Sequence, residues 1–595
     1  MTQPDAGNTD GTVDSKGLKP GALGLLSSVV VGIASTAPAY SLAASLGLVV
    51  SAGAGLKAPA IMLLAFVPMY FIAVAYKDLN EAEPDCGTTF TWATRAFGPI
   101  VGWMGGWGII AADVIVMANL AQIAGAYSFQ LADQLGLSNS LSSDTFWSLM
   151  AGLAWIAIMT YVCYRGIEVS ARVQYALLSI EVLTLVIFAV VALVKVYSGN
   201  GTDGSVHPQL SWLLPGGLPI SVIAPAVLAA VFIYWGWDTA VSVNEETDDP
   251  GRTPGRAAVI STVLLLITYV LVSTAAVAFA GVGPDGIGLG NADNAADVFN
   301  AIGPTLYGDS ALGKVGLDLL AISILTSAAA STQTTILPTA RTALSMAVYR
   351  AIPTRFARIH SKYLTPTWAT IGMGIVSAGF FLLMTWISEN ILLALIGAIG
   401  LQIAFYYGLT GLACVWFYRK TLTDSVRHFF MRGVIPLAGG LFLFVMFIYA
   451  TRVYSQEDNL VDADGNNVTI FGIGAVAVVG IGSLLFGLVL LAVQWAVSPS
   501  YFRGKTLPET QPRRSSALPR GAARCRADRA ARLAGGHRHR TGPVEPARRA
   551  AGHRPGNRRD LRKTPGLTGL VGDSRPGRTR MKRVQNPPSQ HGQAR

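Results

Sequence analysis

The chain has 595 residues, of which 51% are hydrophobic and 13% charged, with a mean hydropathy of +0.46. Soluble domains carry roughly 25% charged residues, so the composition excludes an ordinary soluble domain and points to a membrane protein. The net charge of +11 belongs to one end: from Arg513 onward there are 22 Lys and Arg against 4 Asp and Glu, while the preceding part holds 23 against 30.

In chain order, the N-terminal segment 1–19 carries Asp5, Asp10 and Asp14 without a basic n-region, which argues against a cleavable signal peptide. Apolar runs then predict twelve spans, near 22–50, 58–77, 99–127, 146–164, 173–197, 218–243, 257–281, 314–345, 366–386, 390–417, 433–453 and 471–497. With the N-terminus cytoplasmic, 19 of the 23 Lys and Arg before residue 513 fall at cytoplasmic ends and loops, and 4 (Lys57, Lys195, Lys314, Arg452) fall opposite. Basic residues concentrate on the cytoplasmic side of membrane proteins. A missed helix would invert every later loop and destroy that asymmetry. The expectation is therefore a multi-pass protein of the cell membrane with both termini inside. The outer connection from Gly281 to Gly313 is Gly-rich and acidic, and reads as a solvated surface. Cys86, Cys163, Cys414 and Cys525 form no C-x-x-C pair, so neither a disulfide framework nor a metal site is suggested, and no cofactor.

Two spans are interrupted. The first reads Gly32-Ile33-Ala34-Ser35-Thr36-Ala37-Pro38-Ala39-Tyr40-Ser41, and the sixth contains Tyr234-Trp235-Gly236-Trp237-Asp238. Proline and small hydroxyl residues at mid-membrane depth break the hydrogen-bond ladder, and broken backbone is tolerated there where it lines a cavity. Paired broken helices in two halves of a chain point to a transporter's binding site.

After the second span comes E-P-x-x-G-x-x-F-x-W-x-x-R-x-F-G-P-x-x-G-W-x-x-G-W, from Glu83 to Trp107. Together with the broken first span, the run Phe232 to Asp238 with Asn244-Glu245-Glu246-Thr247, and Ser331 to Lys362, this resembles the amino acid–polyamine–organocation superfamily of permeases over about residues 18–500. The resemblance implies an all-α integral membrane fold: twelve helices, with spans 1–5 and 6–10 as an inverted repeat of leucine-transporter type, plus two. The permease domain is placed at 20–500.

At a helix break, N–H groups starting one half-helix face anions and carbonyls ending the other face cations. Ser35, Thr36, Ala37 and Pro38 are thus candidates to meet an amino acid's carboxylate, and the carbonyls of Phe232 to Trp235, with Tyr234 and Gly236, its ammonium. Trp235 is a candidate cavity wall. The plainer alternatives are a proline kink with Ser/Thr packing, and interfacial aromatic packing.

Inside the spans the charges away from the ends are Asp113, Glu181, Asp238 and Asp318. Intramembrane carboxyls are costly and commonly functional. Glu181 falls where some members of the superfamily carry a lysine associated with proton coupling; here the charge is opposite. It either carries a proton instead, helps hold a cation, or bonds a neighbouring helix. Asp238 is the second candidate coupling residue. Ser327, Ser331 and Thr332 form an alternative sodium set. These features predict a secondary active amino acid transporter with protons as coupling ion. A cationic amino acid or polyamine permease or exchanger is the alternative substrate class, and a non-transporting sensor on the same fold the alternative activity. No motif supports an enzyme, and the partners are the substrate, protons and the bilayer, without nucleic acid. The segment 501–595, rich in Arg, Ala, Gly and Pro, reads as a disordered cytoplasmic tail or the product of a shifted reading frame.

Overall fold

A computed structural model describes residues 16–507, except 138–140, 142–143, 296, 388 and 462–464. Residues 1–15 and 508–595, the latter most of the predicted tail, lie outside the described residues. Up to Leu507 the chain is packed: Tyr501 and Leu507 are buried, and the Tyr501 hydroxyl lies 2.7 Å from Thr94 Oγ1.

A lipid environment offers no partners to backbone N–H and C=O, so each segment satisfies its own as helix. In order the helices are α1 (Leu25–Ser35), α2 (Pro38–Val49), α3 (Ala58–Ala82), α4 (Thr89–Phe97), α5 (Pro99–Gln134), α6 (Thr145–Tyr164), α7 (Ile167–Tyr197), α8 (Ile220–Ile233), α9 (Thr239–Ser242), α10 (Thr253–Ala280), α11 (Val298–Tyr307), α12 (Ala311–Val348), α13 (Thr367–Ile387), α14 (Glu389–Tyr418), α15 (Val426–His428), α16 (Ile435–Tyr454) and α17 (Ala475–Val497). By length and composition, ten described stretches can cross a membrane, Leu25–Ala82 counting as one; Ile220–Ile233 is shorter. Large apolar side chains on the outer faces, such as Leu183, Val190, Ile375, Val445 and Leu485, are exposed, whereas Asp113, Glu181, Asp238 and Arg341 are buried. That inversion of the soluble pattern suits a lipid surround.

Small residues let the helices approach closely. A Cβ at Gly125 of α5 would stand 2.0 Å from Ser148 O of α6. The long α12 packs along α5 and α7, and α10 along α3; α1 and α9 pack on each other and on α10 and α12, which sets the breaks of the first and sixth spans among these helices.

Two sequence expectations are corrected. Among the described residues the fold is helical except for an antiparallel pair, β1 (Thr469–Ile470) with β2 (Ile473–Gly474). Phe471 and Gly472 turn with positive φ between them, so the last long helix starts at Ala475 rather than 471. The connection from 281 to 313 is not merely solvated: it contains α11, whose Val298, Phe299, Ile302 and Leu306 are buried. Their spacing is that of one helix face.

Candidate substrate and coupling site

Thr36 and Ala37 close the last turn of α1, their N–H groups donating to Ile33 O (3.0 Å) and Ala34 O (3.3 Å). Ala37 then adopts φ 46° and ψ 63°, a left-handed conformation that costs a non-glycine residue about 1–2 kcal/mol. Pro38 starts α2, its missing N–H being no loss at that position. In the sixth span α8 ends at Ile233 and α9 begins at Thr239, with Gly236 between them at φ 114°.

The two breaks touch. A Cβ on Gly236 would stand 2.6 Å from Ser35 O, so a side chain there is excluded by contact as well as by φ. Ser35 Oγ lies 2.8 Å from Thr239 Oγ1, and Ser331 of α12 donates to Ser35 O at 3.0 Å. From α10, the Tyr269 hydroxyl donates to Ile233 O (2.6 Å) and lies 3.4 Å from Thr36 Oγ1. Tyr269 was not singled out from the sequence. The available signal was a tyrosine inside an apolar run, whose hydroxyl must find a partner when buried.

The N–H groups that leave the first break unpaired within their own helix belong to Ala39 and Tyr40, slightly later than the predicted Ser35–Pro38. Ala39 N donates to Glu181 Oε1 (2.8 Å), and Tyr40 N to Ser327 Oγ (3.2 Å). Ser327 in turn donates to the same Glu181 oxygen at 2.6 Å. Glu181 is fully buried, and its Oε2 has no hydrogen-bond partner among the described residues. A carboxylate at a helix N-terminus is favoured by the helix dipole. α7 and α12 thus bring Glu181 and Ser327 onto the first turn of α2. Of the other hydroxyls proposed for sodium, Ser331 is on Ser35 O, while Thr332 Oγ1 donates within its own helix to Ala328 O (2.8 Å).

Asp238 lies on the far side of the second break and is held by α14. Tyr407 donates to Oδ1 at 2.9 Å and Tyr406 to Oδ2 at 3.2 Å. Trp235 Nε1 donates to the Tyr406 hydroxyl, tying the break to the same pair. Trp237 instead packs against Tyr76 and Tyr407, with ring centroids 5.2 Å from each. Phe232 is buried, and Tyr234 donates to Met62 O at 3.1 Å. Asp113 does not join either break: it accepts from Thr339. Asp318 is half-buried near the start of α12.

One end of the molecule is closed by ion pairs. The segment before α1 runs beside residues 246–248, with Ala22 N on Glu246 O (2.8 Å) and Asp248 N on Leu23 O (3.0 Å). Lys16, 2% exposed, reaches Asp85 Oδ2 (2.9 Å) and Glu245 Oε1 (2.5 Å), with Cys86 Sγ at 3.7 Å. Behind it Arg341 and Glu246, both fully buried, form a two-pronged pair at 2.9 Å. Burial pushes the Asp85 carboxyl up. The Lys16 charge and bonds from Lys16, Gly87 N–H and Ser345 outweigh that and hold it down to about 2.

Comparison with protein-family profiles matches the amino acid permease family across residues 23–480. The chain belongs to the amino acid permease family. Similar proteins are transporters. A branched-chain amino acid permease of Bacillus subtilis is 25% identical over 415 residues, 67% of this chain and 81% of its own length. An uncharacterized transporter of Mycobacterium tuberculosis is 26% identical over 370 residues, 60% of this chain and 72% of its own. The vacuolar cationic amino acid transporter 4 of Arabidopsis thaliana is 26% identical over 345 residues, covering 55% and 53%. This permease is accordingly a multi-pass membrane protein of a transporter family, not an enzyme.

Proposed function

We propose that this permease is a secondary active amino acid transporter that works by alternating access and is driven by protons through Glu181. The observation that carries the reading is Glu181 Oε1 bonded to Ala39 N–H at the first break and to Ser327, with Oε2 lacking a partner among the described residues. The carboxyl thereby holds one half-helix of the proposed substrate site to α7 and α12. Loading Oε2 with a proton weakens the charge that the Ala39 N–H faces. That frees a donor for a substrate carboxylate and lets α2 shift. In the proposed site, the substrate's carboxylate meets the α2 N-terminus near Ser35 to Pro38, and its ammonium meets the α8 C-terminus. Trp235 and Tyr234 form a wall. Asp238, clamped by Tyr406 and Tyr407, links the second break to α14.

The twelve-span topology is part of the proposal. It is supported by splitting Leu25–Ala82 once, between α2 and α3, so that α1 and α2 make one interrupted span, and by adding the interrupted Ile220–Ser242 to the ten long stretches. Spans 1–5 and 6–10 would then form the inverted repeat, with both termini and the Lys16–Asp85 end cytoplasmic.

The test is Glu181→Gln in proteoliposomes. It keeps the shape but not the proton cycle, so accumulation driven by an inward pH gradient should be lost while exchange of labelled for unlabelled substrate persists. Unchanged pH dependence in correctly inserted protein would make Glu181 structural.

A further inference from the structure

The surroundings of Glu181 are layered. α7 and α12 pass in opposite directions, and their facing residues keep register. Glu181 bonds Ser327; Leu178, three residues earlier in α7, packs with Ala330, three residues later in α12. One turn further, Gln174 Nε2 donates to Ala330 O at 2.9 Å, and Gln333 follows on α12. Ala34, in the last turn of α1, completes the middle layer. Ala34, Leu178 and Ala330 form a buried apolar cluster.

Beyond that layer the interior is polar. Gln174 Oε1, both amide atoms of Gln333 and Arg341 Nη1 are buried and lack hydrogen-bond partners among the described residues, and the buried Ser170 hydroxyl lies among them. The Cys163 thiol donates to Gln333 O at 3.3 Å. Native proteins rarely leave buried polar atoms unpaired, since each costs about 1–3 kcal/mol. Such a concentration, one apolar layer away from the Glu181 carboxyl, marks a polar cluster rather than a hydrophobic core.

We infer that Leu178, with Ala34 and Ala330, gates the proton's route between Glu181 and the polar cluster of Gln174, Gln333 and Ser170. The inference rests on Glu181 as the proton carrier. Glu181 and Gln174 are seven residues apart on α7, about 10 Å along the helix axis, too far for direct transfer across a single hydrogen bond. While the layer is closed, Glu181 is cut off from the end that bears Arg341. Ala34 belongs to the half-helix that ends at the break, so movement of α1 away from α7 and α12 removes one wall. Proton access is thereby tied to the same movement that opens the substrate path. Other titratable groups near Glu181 are few: Tyr269 faces the break from α10, and Tyr40 of α2 is turned to Asn119. On α12, Arg341 lies farther along and is engaged by Glu246.

The test uses the full chain in proteoliposomes containing a pH-sensitive dye, with membrane potential clamped and no amino acid present. Leu178→Asn should raise proton entry several-fold over wild type, and Leu178→Ile should restore the wild-type rate. Ala330→Ser, a smaller change in the same layer, should leak in the same sense. Adding E181Q to Leu178→Asn should abolish the leak. Proton entry at the wild-type rate in both polar variants overturns the gate. A leak that survives E181Q also overturns it, because the protons then bypass Glu181. E181Q alone separates the claims. Uptake that stays gradient-driven in E181Q overturns the carrier and the gate together. Loss of gradient-driven uptake in E181Q, with both polar variants tight, overturns the gate alone.

Discussion

Gly236 and Ser35 touch at the centre of the molecule, and the contact leaves no room for a methyl group. Gly236→Ala places Cβ 2.6 Å from Ser35 O on a backbone with φ 114°. Overpacking of this kind costs about 1–3 kcal/mol, and here it acts where the two half-helices must move. Transport should fall to near background while the protein still inserts, as read by uptake beside size-exclusion behaviour in detergent. Wild-type uptake by Gly236→Ala would show that the breaks do not move against each other. At the other end, Asp85 gives a pH prediction of definite sign. Its folded value of about 2 lies below the unfolded carboxylate value of about 3.9. Its stabilising contribution is therefore complete above roughly pH 4 and is lost only as pH falls towards 2. Any pH dependence of transport between about pH 5 and 8 should persist in Asp85→Asn. Its disappearance there would move the proton sensor from Glu181 to the Lys16 cluster.

At the scale of elements, half-helices and ion pairs set both what the sequence revealed and what it hid. The breaks were legible because Pro38 and Gly236 are local signals: one removes a donor and the other permits a conformation closed to most residues. That Glu181 serves the first break was not legible, because α7 and α2 meet only through packing, 142 residues apart in sequence. For the same reason Tyr269, Tyr406 and Tyr407 were missed, although a buried tyrosine needs a partner. The α11 helix was overlooked because Gly and Asp around it outweighed four apolar positions. Arg341, near the end of α12, is fully buried against Glu246. Leaving one member of such a pair costs about 3–5 kcal/mol. Arg341→Met and Glu246→Met should each lower thermal stability markedly in detergent. The double variant Arg341→Met with Glu246→Met should regain most of it. Additive losses in the double would show that the two side chains act independently.

For the whole molecule, the composition and the distribution of Lys and Arg already described a membrane protein, and the family match agrees with the motifs along residues 18–500. The basic stretch after Arg513 has another composition altogether, and the packed chain runs to Leu507. Deleting 513–595 should leave uptake intact; loss of transport by correctly inserted, shortened protein would give that stretch a role. The central claim, proton-driven amino acid transport, is tested most directly by uptake of a panel of labelled amino acids and polyamines into proteoliposomes, with and without an inward pH gradient. The account predicts concentrative uptake of an amino acid under the gradient, independent of sodium and lost in Glu181→Gln. Uptake that requires internal substrate or sodium and ignores the pH gradient, or binding without any movement across the membrane, would contradict it.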